Sequence, residues 1–97
     1  MAQVRMSVYY PQGENERFDH DYYRDVHVPL AQKTWSPLKT EIERGLSGPY
    51  VASVHFTFAS KEAMDEALAL EGTGAIMADV KNYTSITPQM QVSEVVA

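Results

Sequence analysis

Strict alternation marks two stretches of the chain. Between residues 3 and 10, Val4, Met6, Val8 and Tyr10 fall on one side and Gln3, Arg5, Ser7 and Tyr9 on the other, the period of a strand with one apolar face. Between Tyr50 and Phe58, Ala52, Val54, Phe56 and Phe58 alternate with Val51, Ser53, His55 and Thr57. The second face is polar but small, which suits a sheet side lining a pocket or a subunit contact. Between these strands, Phe18-Asp19-His20-Asp21-Tyr22-Tyr23-Arg24-Asp25-Val26-His27-Val28-Pro29-Leu30 carries helical spacing and predicts a helix from about 19 to 34. Asp19 suits its N-cap and Phe18 an apolar staple before it. Pro29 has no N–H for the carbonyl of Asp25, so the helix must kink or loosen there.

Pro11, Gly13 and Asn15 predict a turn after the first strand, and Ser36-Pro37 predicts the end of the helix. Residues 38–46, apolar at 38, 42 and 46, fit a bulged strand or a short helix and are read as a strand. Ser60 starts a second helix that Gly72 and Gly74 end, Ala75 to Tyr83 forms a short helical piece, and residues 86–96 form a last strand at a sheet edge. Strand, helix, strand, strand, helix, strand is the ferredoxin-like βαββαβ order, an α+β fold with a four-stranded antiparallel sheet and both helices on one face. Leaving the other face to water is expected to expose a large patch. Two copies packing sheet to sheet, a dimeric α/β barrel, would cover it.

At 97 residues the chain is one domain, 1–97, and such a domain buries only about 60 to 65% of its unfolded surface. Cysteine is absent, which excludes disulfides and Cys-based metal sites, and self-association is the remaining route to more burial. The charge of −5 and the scattered eight Lys and Arg disfavour a nucleic-acid partner. No apolar run approaches the roughly 20 residues of a membrane span, and the first residues lack signal-peptide character, so a cytoplasmic location with no membrane partner is expected. Gly-rich phosphate loops, Gly-x-Ser-x-Gly and His-Glu-x-x-His are all missing.

Phe18-Asp19, Tyr22-Tyr23 and His27-Val28-Pro29-Leu30 together resemble the motif of EthD-like proteins in the dimeric α/β barrel superfamily. Ala78-Asp79-Val80-Lys81-Asn82-Tyr83-Thr84 is similar to that family's second signature, with Tyr83 where phenylalanine is common. The resemblance covers almost the entire chain and implies a ferredoxin-like homodimer with a small-molecule pocket. It does not select a reaction, because the superfamily includes cofactor-free monooxygenases, lactone isomerases, polyketide dehydratases and haem enzymes.

His27 can serve as general acid or base near neutral pH, or its ring can tie down backbone groups freed by Pro29. Asp79 can orient His27 as the carboxylate of a dyad, or cap a turn. Tyr22, Tyr23 and Tyr83 can bind a substrate oxygen or ring, or pack as core with a polar tip. His55 and Arg5 can hold an anionic group inside the barrel, or join an inter-subunit salt-bridge network. His20 is expected to be solvated, and about 10 Å of helix separates it from His27, too far for a shared metal. No cofactor and no metal is expected, haem at His27 or His55 having only superfamily analogy behind it.

Two functions follow as expectations. One is a catabolic enzyme or accessory protein with a His-containing apolar pocket, acting on an oxygenated or aromatic intermediate as an isomerase, a dehydratase or a cofactor-independent monooxygenase. The other is a non-catalytic dimeric binding or stress-response protein whose barrel is filled by Met6, Phe56 and Val92.

Overall fold

The computed structural model of the chain describes residues 2–14 and 16–97; Asn15, expected in the first turn, lies outside the described residues. Four strands, β1 (Val4–Pro11), β2 (Lys39–Arg44), β3 (Tyr50–Phe58) and β4 (Gln89–Glu94), form one antiparallel sheet in the order β2-β3-β1-β4. This is the ferredoxin-like arrangement, with residues 39–44 of the stretch 38–46 a strand and β4 at an edge, as expected. Register places Met6 opposite both Phe56 and Val92, and Val8 opposite Val54 and Met90. Cross-strand partners share a face, so these side chains and Ile42, opposite Val54, all look toward the helices.

The first helical segment runs as α1 (His20–Tyr22), a π-helical turn (Tyr23–His27) and α2 (Val28–Trp35). Asp19 caps it, its carboxylate accepting the Tyr22 N–H at 3.0 Å, and the Phe18 ring lies 5.0 Å from that of Tyr23, a hydrophobic staple between the residue before the cap and the fourth helical position. The loosening expected at Pro29 sits in the turn before it, where the Val28 N–H reaches back five residues to the Tyr23 carbonyl. Pro29 then occupies the first turn of α2, where its missing N–H costs little. Ser36, in the left-handed region at φ 48°, ends α2.

Ser60 caps α3 (Lys61–Leu68), accepting the Ala63 N–H at 3.1 Å. The short helical piece expected from Ala75 to Tyr83 is α4 (Thr73–Asp79) followed by a 3₁₀ turn (Val80–Asn82). Trp35 pins α2 to α4 through an N–H donated to the Thr73 hydroxyl at 2.9 Å and meets Phe56 edge-on. The core lies between the helices and the sheet and includes Met6, Val54, Phe56, Val28, Trp35 and Ile76.

Two expectations change. The helix-free face carries Arg5, Ser7 and Tyr9 of β1, Ser53, His55 and Thr57 of β3, Glu41 and Glu43 of β2, and Gln91 and Ser93 of β4, so its exposure leaves no large apolar patch. Period-two alternation sent the apolar set of every strand to the helix side instead. For the same reason Met6 and Phe56 cannot fill a barrel between two sheets, because both are buried under the helices. Val92 shares their face but stays 46% exposed, since the helices stop short of edge strand β4.

This register predicts a contrast measurable by urea denaturation. Met6→Ala, at a residue with 0% exposure, should cost about 2–5 kcal/mol. Val92→Ala, half-exposed on the same face, should cost under about 1 kcal/mol. Equal losses would contradict the placement of the helices.

Candidate active site

His27 enters the site from the π turn and Asp79 from the last residue of α4. Backbone contacts bring these elements together: the Asp19 N–H donates to the Tyr83 carbonyl at 2.8 Å, Phe18 pairs with Thr84 in an isolated antiparallel bridge, and the Thr84 hydroxyl donates to the Arg17 carbonyl at 2.6 Å. The entry to the first helix and the exit from the last are thus laced side by side. Across that seam His27 Nδ1 lies 2.9 Å from Asp79 Oδ2.

Asp79 takes two further donors on its other oxygen, the Tyr22 hydroxyl at 2.7 Å and the Asn82 amide at 2.8 Å. Burial alone would push this carboxyl up, but the hydrogen bonds from Asn82, His27 and Tyr22 together hold it below its ordinary value. It is therefore a carboxylate at neutral pH and can only accept, which assigns the proton of neutral His27 to Nδ1. Burial is also the dominant influence on His27; it disfavours the imidazolium and outweighs the attraction of Asp79, so the pKa falls below 6.5. His27 is a neutral ring with the lone pair on Nε2, and Nε2 makes no hydrogen bond to another described residue.

That ring lines a cleft of about 60 Å³ between helices and sheet, whose walls also include Tyr10, Tyr23, Val54, Met77 and Met90. The cleft touches His27 but is narrow, well below the about 150 Å³ of an apolar cavity that holds benzene. Two of its lining residues, the flexible side chains of Met77 and Met90, are half-exposed. A larger depression of about 500 Å³ runs along the β2–β3 hairpin past Tyr9, Glu43 and Tyr50. It is an open surface groove whose lining does not include His27.

The three candidate tyrosines have different fates. The Tyr22 hydroxyl is engaged by Asp79, and that of Tyr83 pairs with Tyr10 at 2.6 Å. The Tyr23 ring lies nearly parallel to His27, 14° between planes at 5.6 Å, and its buried hydroxyl has no hydrogen-bond partner. Desolvation pushes the Tyr23 and Tyr83 phenols far up, so both keep their protons.

His55 and Arg5 lie on the opposite face of the sheet and do not join this group. His55 Nδ1 is 2.7 Å from the Ser7 hydroxyl and Nε2 is 2.8 Å from Glu43, which also accepts from Ser53 at 2.7 Å. With both nitrogens occupied, His55 offers no lone pair to a metal or haem. Among the described residues no group of three or more His, Asp or Glu is placed to hold a metal ion. His20 is half-buried against Phe18, at 4.7 Å between rings, and not freely solvated as expected. Asn82 and Tyr10 escaped sequence reasoning; Asn82 sits three residues beyond Asp79, a spacing that could have suggested it.

Neither a family model nor a curated protein matches the chain. An EthD-like protein from Ralstonia eutropha JMP134 is 34% identical, with a TM-score of 0.91 over 100% of this chain and 95% of that one. An ethyl tert-butyl ether D (EthD) family protein from Bacillus halodurans C-125 is 17% identical, with a TM-score of 0.78 over 99% of this chain and 100% of that one. SnoaB, a cofactor-independent oxygenase from Streptomyces nogalater, is 10% identical, with a TM-score of 0.75 over 100% of this chain and 96% of that one. The last two share the fold. No helix among the described residues is long and apolar enough to cross a membrane.

The ring nitrogens of His27 should titrate by ¹⁵N NMR with a midpoint below 6.5, Nδ1 carrying the proton above it. Because Asp79 favours the charged ring, Asp79→Asn should move the midpoint lower still. The unfolded chain then binds the extra proton first, so His27 makes stability fall as pH drops below about 6.5, until the native ring also protonates. Asp79, held below its ordinary 3.8, adds stability that is present above that pH and is lost as pH falls through its lower native value. A midpoint above 6.5 in the native protein would contradict the burial of His27.

Proposed function

We infer that this chain, which belongs to the EthD-like family, is a small-molecule catabolic enzyme or accessory protein that moves a proton with His27 in an apolar cleft. The observation that carries the reading is a neutral histidine, fixed at Nδ1 by the Asp79 carboxylate, whose ring lines that cleft. Nε2 takes a proton from a carbon beside a carbonyl, the C–H electron pair moves toward the carbonyl, and negative charge collects on its oxygen. The imidazolium so formed is stabilised by Asp79. Returning the proton to another carbon is an isomerisation; giving it to a departing hydroxide is a dehydration. With dioxygen as oxidant, the same electron-rich anion can give up electrons, which is the route of a cofactor-free oxidation.

Tyr22 and Asn82 act in this scheme as positioning residues through Asp79. A homodimer is part of the reading. The helix-free face, with the small polar side chains of Ser7, Ser53 and Thr57 beside Tyr9 and His55, suits contact with a second copy.

The test is proton exchange in D₂O, followed by ¹H NMR on a panel of cyclic ketones and lactones, with an oxygen electrode for the oxidative route. His27→Gln should lower the catalysed rate at least about 100-fold and Asp79→Asn by a smaller factor. Full activity in His27→Gln sinks the proposal. Sedimentation equilibrium at micromolar concentration should give twice the 10.9 kDa chain mass, and a monomer would remove the dimer from the reading.

A further inference from the structure

The cleft beside His27 adjoins a second space. Met77, Val80 and Pro88 line the cleft and also an open groove of about 510 Å³ that runs past Lys81, Ser85 and Thr87. Among the described residues no Asp or Glu lines either space, and Lys81 carries the single fixed charge on their walls. Lys81 is exposed, and its ammonium makes no ion pair with another described residue.

A second cation stands beside it. Arg17 donates a guanidinium N–H to the Lys81 carbonyl at 2.8 Å and its backbone N–H to the Ser85 hydroxyl at 3.3 Å. Arg24, Lys39 and Lys61 each pair with a carboxylate close in sequence, whereas Arg17 and Lys81, 64 residues apart, are brought together with none among the described residues. Asp79, the acid nearest to Lys81 in sequence, is already engaged by Tyr22, His27 and Asn82. In a chain of net charge −5 this corner is positive, and a groove walled by one sign of charge concentrates the opposite ion.

We propose that cleft and groove together take a carboxylic acid with an apolar body. The hydrocarbon part fills the cleft beside His27, and the carboxylate stays in the open groove at Lys81, with the charge of Arg17 behind it. The assignment rests on the proton-transfer reading for the chemistry at His27, but not for the binding. It names the substrate class of that site as monocarboxylic acids whose reacting carbon lies several bonds from the charge. The division follows from solvation. The cleft walls expose almost no polar surface, so a carboxylate inside would lose its water and gain no partner, while in the groove it keeps part of its hydration. At about 60 Å³ the cleft is narrow, and an unbranched chain enters it with less rearrangement of Met77 and Met90 than a ring does.

Titration of octanoate, 1-octanol and acetate, followed by NMR on protein carrying ¹³C in its methionine methyl groups, tests this. Octanoate should bind saturably and move the signals of Met77 and Met90, leaving that of Met64, which lines neither space. Each methylene removed from the chain should weaken binding about two- to fourfold, and acetate should not bind saturably. Lys81→Gln should weaken octanoate about two- to fivefold and Lys81→Glu further, while 1-octanol binds both variants as it binds wild type. The urea midpoints should not change, because Lys81 is exposed. No saturable octanoate binding, unmoved Met77 and Met90 signals, equal octanoate affinity in wild type and Lys81→Glu, or equal weakening of octanol and octanoate overturns the proposal.

The two readings fail separately. If ketone exchange survives His27→Gln while octanoate binding still depends on Lys81, the proton-transfer role falls and the carboxylate subsite stands. If exchange requires His27 but octanoate binding ignores Lys81, the subsite falls and the base remains.

Discussion

A carboxylate with three donors holds the functional half of this molecule together. Asp79 accepts from Tyr22, from His27 and from Asn82, groups belonging to α1, the π turn and the 3₁₀ turn. Taking a carboxylate out of water is costly, and only a full complement of hydrogen bonds offsets that penalty. Here the offset is more than complete, since the carboxyl is held below its ordinary value despite its burial. The constraint also acts in reverse. Without the charge, the half-buried Tyr22 hydroxyl, the exposed Asn82 amide and the buried His27 proton lose their common acceptor, and the tautomer that frees Nε2 loses its cause.

Around this anchor the aromatic residues act as a frame. Tyr10 of β1 meets Phe18, Tyr23 and Tyr83 edge-on, and Tyr83 in turn lies 4.5 Å from the His27 ring. Edge-to-face pairs of this kind contribute about 0.5–1.5 kcal/mol each beyond their area and prefer defined angles, so they fix orientation as well as adding stability. The π turn contributes a different element. One extra residue per turn lets Tyr23 and His27, four apart, stack nearly parallel. The base is thereby placed on a packed helical segment and not on a loop.

Much of this was readable from the residues alone, for reasons that differ by element. Two-residue alternation fixed β1 and β3, and the Asp19 and Ser60 caps were legible because a short oxygen-bearing side chain before an apolar period has one common use. Proline announced a disturbance but not its form: a missing N–H says where bonding fails, and neighbouring side chains decide whether the helix kinks or widens. Which face of the sheet was apolar also could not be settled by period alone, and the expectation of an apolar outer patch failed there. Tyr22, Tyr23 and Tyr83 were alike as letters. Only folding distinguishes a hydroxyl bound to Asp79, one bound to Tyr10 and one left unbound, because those partners are tens of residues away in sequence.

The sheet divides the molecule into two chemical compartments. On the helix side an apolar cleft carries one histidine lone pair; on the other, Ser7, His55, Glu43 and Ser53 form a closed polar network. Among the described residues four buried side-chain polar atoms lack partners: Tyr23 Oη near the Tyr10 ring, Arg5 Nε and Thr57 Oγ1 on adjacent strands of the outer face, and Thr40 Oγ1 on edge strand β2. Folding pairs nearly all such atoms, and these four are already closed off from solvent within the single chain. Their unpaired state belongs to the packing inside the chain, not to a surface that awaits an occupant. The two compartments differ in chemistry all the same: a histidine held by a carboxylate beside an apolar cleft on one side, and a face of small polar side chains on the other.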